Sequence, residues 1–217
     1  DLLVHPDGRH VILAGTPGYG WTGGGLLFWD RKTDTQEVLT HEQLIQDQSV
    51  QSMVALPHGE LLCGTTISAG EVKAEVAELF ILDTETRRIK WREVFEGATN
   101  ISDMILAPSG LVYGVVNSQR FFVFAPATRR VIFERDLTEE FGPTNWQQGP
   151  RIFVKAPGDR IFMLFQAGIA EINTAPHSHE ITMLAASPVT IGPGGDYLDG
   201  RIYFGSGSHV YSWPVPE

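Results

Sequence analysis

The chain has 217 residues, 42% of them hydrophobic, enough to bury a large apolar core. Sixteen Lys and Arg stand against 26 Asp and Glu, a formal charge of −10 that repels a phosphate backbone and speaks against nucleic acid as a partner. No run of about 18 apolar residues is present, so no membrane-spanning helix is expected, and the single cysteine, Cys63, permits no intrachain disulfide.

A tight turn recurs along the chain: Pro6-Asp7-Gly8, Pro57-His58-Gly59, Pro108-Ser109-Gly110 and Pro157-Gly158-Asp159, with prolines 51, 51 and 49 residues apart. A degenerate copy, Leu198-Asp199-Gly200, follows. An apolar run follows each turn, and a fixed period of this length marks a repeat architecture. The third repeat is the plainest. Residues 103–107 read as a first strand, 108–110 as a turn and 111–116 as a second strand. A third strand is read at 120–124, a turn at 125–128 and a fourth strand at 129–136. Four antiparallel strands joined in sequence make a propeller blade. The sequence is therefore read as all-β: a β-propeller of about five four-stranded antiparallel blades in one domain. Their bounds are approximately 1–40, 51–95, 102–137, 150–185 and 194–217. The last lacks its outer strand, so the ring is either closed without that strand or part of a larger ring whose remainder lies in a longer chain. The second alternative is preferred. Only 41–48 and 72–78 have helix-compatible composition, and both lie in connections.

The third strands end in a shared pattern: Leu26-Leu27-Phe28-Trp29-Asp30-Arg31-Lys32-Thr33, Leu79-Phe80-Ile81-Leu82-Asp83-Thr84-Glu85-Thr86, and Ile169-Ala170-Glu171-Ile172-Asn173-Thr174. An apolar strand ending in Asp and followed closely by Thr resembles the YVTN-like and quinoprotein-like β-propeller superfamily. The resemblance extends over nearly the whole chain. It implies the fold and leaves function open, because such propellers serve as enzymes, sugar binders and scaffolds.

Connections between first and second strands, and between third and fourth, are short. The others are long, including 15–25, 40–50, 65–78, 96–102, 138–151 and 187–194. In an antiparallel blade these two long classes emerge on one face, where binding residues are expected. The segment Gly18-Tyr19-Gly20-Trp21-Thr22-Gly23-Gly24-Gly25 contains G-x-G-x-x-G but opens a strand rather than a helix, so it is no dinucleotide site, and no cofactor is expected. Tyr19 and Trp21 can instead stack on a sugar or another flat ligand.

Five residues back from the turn proline stand Asp1, Ser52 and Asp103, expected at the channel with Asn100, and the fourth repeat brings Trp146, Gln148 and Arg151 to the same region. The ligand-binding candidates are Tyr19, Trp21, Asn100, Asp103, Trp146, Gln148 and Arg151. Catalytic residues are not identified. No metal is expected: no histidine pair has a metal-ligand spacing, and the Glu of the cation site in gluconolactonase-like propellers has no counterpart beside Asn100, Asp103 and Asn145. His5 and His10 are read as solvated or structurally satisfied, and His177 and His179 as a solvated pair.

The leading function is a non-catalytic or accessory propeller that binds a small polar ligand, a saccharide for example, or a protein partner through the long-loop mouth. One alternative is a carbohydrate-active or metal-assisted hydrolase or lyase in which Arg151 neutralises a uronate. The other is a protein–protein interaction scaffold. Composition fits a cytoplasmic protein and a bacterial secreted or periplasmic one equally.

Overall fold

The computed structural model describes residues 1–68, 70–72, 74–145, 151–175 and 177–216. It contains four four-stranded antiparallel sheets and one three-stranded sheet, each in chain order. The first holds β1 (Leu2–Val4), β2 (His10–Gly15), β3 (Gly25–Asp30) and β4 (Thr35–Thr40). The second holds β5 (Ser49–Ala55), β6 (Leu61–Thr66), β7 (Glu78–Leu82) and β8 (Ile89–Val94). The third holds β9 (Ile101–Leu106), β10 (Val112–Val116), β11 (Arg120–Ala125) and β12 (Arg130–Asp136). The fourth holds β13 (Phe153–Ala156), β14 (Arg160–Phe165), β15 (Gly168–Ile172) and β16 (Ile181–Ala186). The fifth holds β17 (Asp196–Leu198), β18 (Arg201–Ser206) and β19 (His209–Pro214), without a fourth strand, as expected.

The backbone divides into two compact units, Asp1–Leu106 and Ala107–Glu217. In the first, sheets one and two meet face to face. Ile12, Leu26, Phe28 and Leu39 from one pack with Met53, Leu61, Cys63 and Phe80 from the other. In the second, Val154, Phe162 and Leu164 of the fourth sheet pack with Ile202 and Phe204 of the fifth. The only helix among the described residues is α1 (Thr138–Phe141), a single turn in a connection, and the described residues of 41–48 and 72–78 are not helical. Asp47, at φ +59°, ends the first of these segments, which makes one helix-like bond, Leu44 N–H to Thr40 O (3.1 Å), and does not continue it.

Local chemistry explains the repeated motifs. In the first three turns the glycine N–H donates to the carbonyl three residues back: Gly8 to His5, Gly59 to Leu56 and Gly110 to Ala107. These glycines have φ of +68°, +84° and +81°, a region closed to most side chains. The Asp that ends the third strand caps the next turn. Asp30 Oδ1 accepts from the N–H groups of Lys32 (2.9 Å) and Thr33 (3.3 Å), and Asp83 Oδ1 from those of Glu85 (3.0 Å) and Thr86 (2.7 Å). The second oxygen takes a cation: Arg9 on Asp30 and Lys90 on Asp83. In the fourth sheet Asn173 Oδ1 accepts from Ala175 N–H, so the amide preserves the cap without the charge.

The Arg9 guanidinium, with help from the turn N–H groups, holds the Asp30 carboxyl well below the usual carboxylate range, and the Lys90 ammonium does the same for Asp83. A carboxylate whose folded pKa is depressed contributes stability above its unfolded pKa of about 4 and loses it as pH falls below that value. Asp30→Asn is therefore expected to melt below the wild type at neutral pH, with the gap between the two closing as pH is lowered from about 4; calorimetry of both proteins across that range measures it.

Candidate functional site

In the first unit the long connections are bonded to one another on one side of the sheets. Gly24 N–H donates to Gln48 O (3.2 Å) and His41 N–H to Gly24 O (2.8 Å). Val72 N–H donates to Thr22 Oγ1 (3.0 Å), Gln48 Nε2 to Val76 O (2.9 Å) and Ile67 N–H to Thr99 O (2.9 Å). The gathering inferred from loop length holds within this unit.

Beside the 16–24 connection lies an open cleft of about 680 Å³. Leu13, Leu27 and Val38 form its apolar floor, directly opposite one another across β2, β3 and β4. The Trp21 ring, 74% exposed, forms a wall, and Thr22, Thr40, His41 and Glu42 supply polar groups around it. The His41 ring is fixed in place: its Nδ1 accepts from Asp47 N–H (3.0 Å), and it occupies the space a Cβ on Gly23 would need, with Cγ 2.1 Å from that position. Gly23 also has φ +68°, so both backbone and packing demand glycine there.

Of the residues expected at the site, Trp21 lines this cleft; Tyr19, in the same loop, is fully exposed and does not. Asn100 and Asp103 lie at the start of β9, half-buried and away from the cleft lining. Asn100 Oδ1 accepts from Ser102 Oγ–H (2.5 Å), its Nδ2 donates to Thr99 Oγ1 (3.2 Å), and Asp103 Oδ1 accepts from Met104 N–H (2.8 Å). Asp1 and Ser52, at the matching positions, tie neighbouring strands together. Asp1 Oδ2 accepts from Met53 N–H (3.0 Å), and Ser52 Oγ–H donates to Ile101 O (2.9 Å).

Arg151 belongs to the second unit, exposed ahead of β13. Its carbonyl accepts from Nδ2 of the fully buried Asn145 (2.9 Å), which also donates to Gly194 O (3.1 Å). Trp146 and Gln148 lie outside the described residues. The floor residues and Glu42 were not singled out from sequence, and His41 was marked only as the one histidine in a long connection. Their signal is that β2, β3 and β4 carry apolar residues on both faces, not one.

Cys63 is fully buried, and burial pushes its thiol far up, away from nucleophilic chemistry. His179 corrects the solvated-pair expectation: it packs against the rings of Tyr113 and Phe133, and burial lowers its pKa, while His177 is exposed. Among the described residues, one group of His, Cys, Asp or Glu has donors close enough to share a cation: His5, Asp7 and His10 in the β1–β2 turn. No helix among them is long and apolar enough to cross a membrane.

Gly23→Ala is expected to destabilise the first unit by about 1–3 kcal/mol through backbone strain, with a further loss from the clash. Gly23→Ala/His41→Ala should recover the clash component alone; urea unfolding of the two variants and of His41→Ala separates them.

No protein-family model matches the chain, and no curated protein matches it in sequence. Solved structures do match. The Dos1 propeller superposes with a TM-score of 0.65 at 13% identity, over 94% of this chain and 50% of that one. Kuenenia stuttgartiensis hydrazine synthase gives 0.69 at 12%, over 99% and 70%. The β-propeller domain of Cps50 (Swd1) from Myceliophteria thermophila gives 0.61 at 13%, over 98% and 69%. The chain thus spans half of the first of these structures. At such identities the likeness is one of fold alone, and the fold of this chain is that of a β-propeller.

Proposed function

We propose that the chain is a non-catalytic binding propeller that takes a small polar ligand of the saccharide class in the cleft beside Trp21. The observation that carries the reading is the exposed indole set over an apolar floor and next to the hydroxyls of Thr22 and Thr40, the His41 imidazole and the Glu42 carboxylate. A pyranose has an apolar C–H face and a hydroxyl rim, and this arrangement offers a partner to each. A glycan array probed with the untagged chain, followed by calorimetric titration of the strongest hit, tests it. Trp21→Ala is expected to weaken binding about tenfold or more at an unchanged Tm, because the ring is exposed. An array without binders, or equal affinity in the variant, overturns the reading.

A second reading rests on the same face. Leu2, Leu13, Leu27 and Val38 form one cross-strand row, and Leu2 and Val38 are 61% and 55% exposed. A row of this kind supports cover by protein, and we infer a further four-stranded sheet of the propeller, seated here as the second sheet seats on the opposite face. The isolated chain is then expected to self-associate and bind a hydrophobic dye, and Val38→Asp to suppress both without loss of Tm. Sedimentation showing a monomer that binds no dye overturns it.

A further inference from the structure

The turn from β1 to β2 reads His5-Pro6-Asp7-Gly8-Arg9-His10 and folds three donor groups onto one point. His5 and His10 face each other across it, with His5 N–H donating to His10 O (2.9 Å). Asp7, at the tip, uses its two oxygens differently. Oδ1 accepts from the N–H groups of Arg9 (2.8 Å) and His10 (2.9 Å) and locks the turn. Oδ2 points between the imidazoles, 3.0 Å from His5 Nδ1 and 2.6 Å from His10 Nδ1. All three donor atoms lie within 4.8 Å of one another.

The His5 side chain is 4% exposed, and its ring is oriented from behind. Nε2–H donates to Gly59 O (3.1 Å), an atom that can only accept, so in the neutral ring Nδ1 carries the lone pair. That lone pair accepts from Asp7 N–H at 3.3 Å and also faces Asp7 Oδ2, a second acceptor. With His5 neutral, the carboxylate oxygen and the Nδ1 lone pair 3.0 Å apart repel unless a proton or a metal ion lies between them, and a metal ion there would take the lone pair from Asp7 N–H. Ligands on a divalent ion with bonds of about 2.1 Å stand about 3.0 to 3.4 Å apart. A backbone carbonyl on the distal nitrogen is also the outer support that metal-bound imidazoles ordinarily have.

We propose that His5, Asp7 and His10 form a divalent transition-metal site with two imidazoles, one carboxylate and outward positions left to water. This donor set suits late first-row ions such as Zn²⁺, Ni²⁺ and Cu²⁺ better than Mg²⁺ or Ca²⁺. The ion takes the place of the proton that His10 Nδ1 donates to Oδ2; that proton moves through solvent to His10 Nε2, so the ring stays neutral and turns its lone pair inward. His10, more exposed than His5, is the arm that closes. The site is at a short turn of the first sheet and does not depend on the ligand proposed for the Trp21 cleft.

Calorimetric titration of the untagged, chelator-treated chain with ZnCl₂ tests it. One Zn²⁺ per chain is expected, with micromolar affinity and a Tm that rises with Zn²⁺ concentration. His10→Ala and Asp7→Asn are each expected to weaken binding at least about tenfold, whereas His177→Ala leaves it unchanged. Asp7→Asn keeps an oxygen for the Arg9 and His10 N–H groups, so it separates loss of the ligand from loss of the turn. Absence of saturable binding, or binding at full strength in both His10→Ala and Asp7→Asn, overturns the site; His5 and His10 imidazole ¹⁵N shifts on addition of Zn²⁺ identify the coordinating nitrogens in the wild type.

Discussion

The inner strands of the second, third and fourth sheets are buried on both faces, and a sheet of that kind must be covered twice. β6 and β7 are buried at every position, as are β10 and all but the first residue of β14. Alternation appears in outer strands such as β12, where exposed and half-buried residues take turns, and in β3 and β18 of the first and fifth sheets, where buried and half-buried residues do. Face-to-face packing of successive sheets meets this requirement, as the clusters between sheets one and two and between sheets four and five do within their units. The requirement reaches into the inner strands. A Cβ on Gly64 would stand 2.4 Å from Ile101 and 2.8 Å from Ser52 Oγ, so glycine is what lets β6 approach β9. The outer edges are guarded differently. β8 carries Lys90 and Arg92, and the Arg92 guanidinium grips both oxygens of the nearly buried Glu78 at 2.7 and 2.6 Å.

Most of this architecture was legible in the sequence because its punctuation is local. A Pro-x-Gly turn needs only its own φ values, and an Asp that caps the turn two and three residues ahead needs only its own side chain. The same economy explains why Arg87 and Arg129, at matching turn positions, share φ of +58° and +51°, as Asp34 does at +55°. They are part of how each blade is built. Arg87 also makes tertiary contacts, pairing with Glu37 at 2.9 Å and lying 3.9 Å over the Phe28 ring, so that it joins the first two sheets. The one-turn helix at Thr138–Phe141 had no such signal. Leu137 at its N-cap makes no side-chain cap bond, and the turn is anchored by the burial of Phe141, which stacks on Phe165 at 5.0 Å.

The candidate site was legible only in part, and the division has a physical basis. Trp21 announces itself because a large ring in a run of glycines has no core to enter. Counting back from the turn proline picked out Asp1, Ser52 and Asp103 but not what their side chains are occupied with. In closely packed inner strands, backbone donors and acceptors beside a polar side chain claim it first. Asp1 serves Met53, Ser52 serves Ile101 and Asp103 serves Met104. The cleft floor was hidden for the opposite reason. Leu13, Leu27 and Val38 alternate with Ile12, Leu26 and Leu39, and apolar residues at both parities read as a fully buried strand whether or not both faces are covered.

The cluster at His5, Asp7 and His10 has no signature in sequence because its H-x-D-x-x-H spacing is not that of a helical pair such as H-E-x-x-H, where residues four apart share a face. A hairpin turn obeys another rule. Residues five apart become directly opposed when the chain reverses between them, and the residue at the tip can fold its carboxylate back between the two. Rigidity then comes from the turn itself: two N–H groups hold Asp7 Oδ1, and Gly59 of the neighbouring sheet holds the His5 ring. The three donors are held by the scaffold rather than by a long connection. A short turn can therefore be the better ordered place for coordination chemistry, while the long connections on the opposite side of the sheet supply area and aromatic surface.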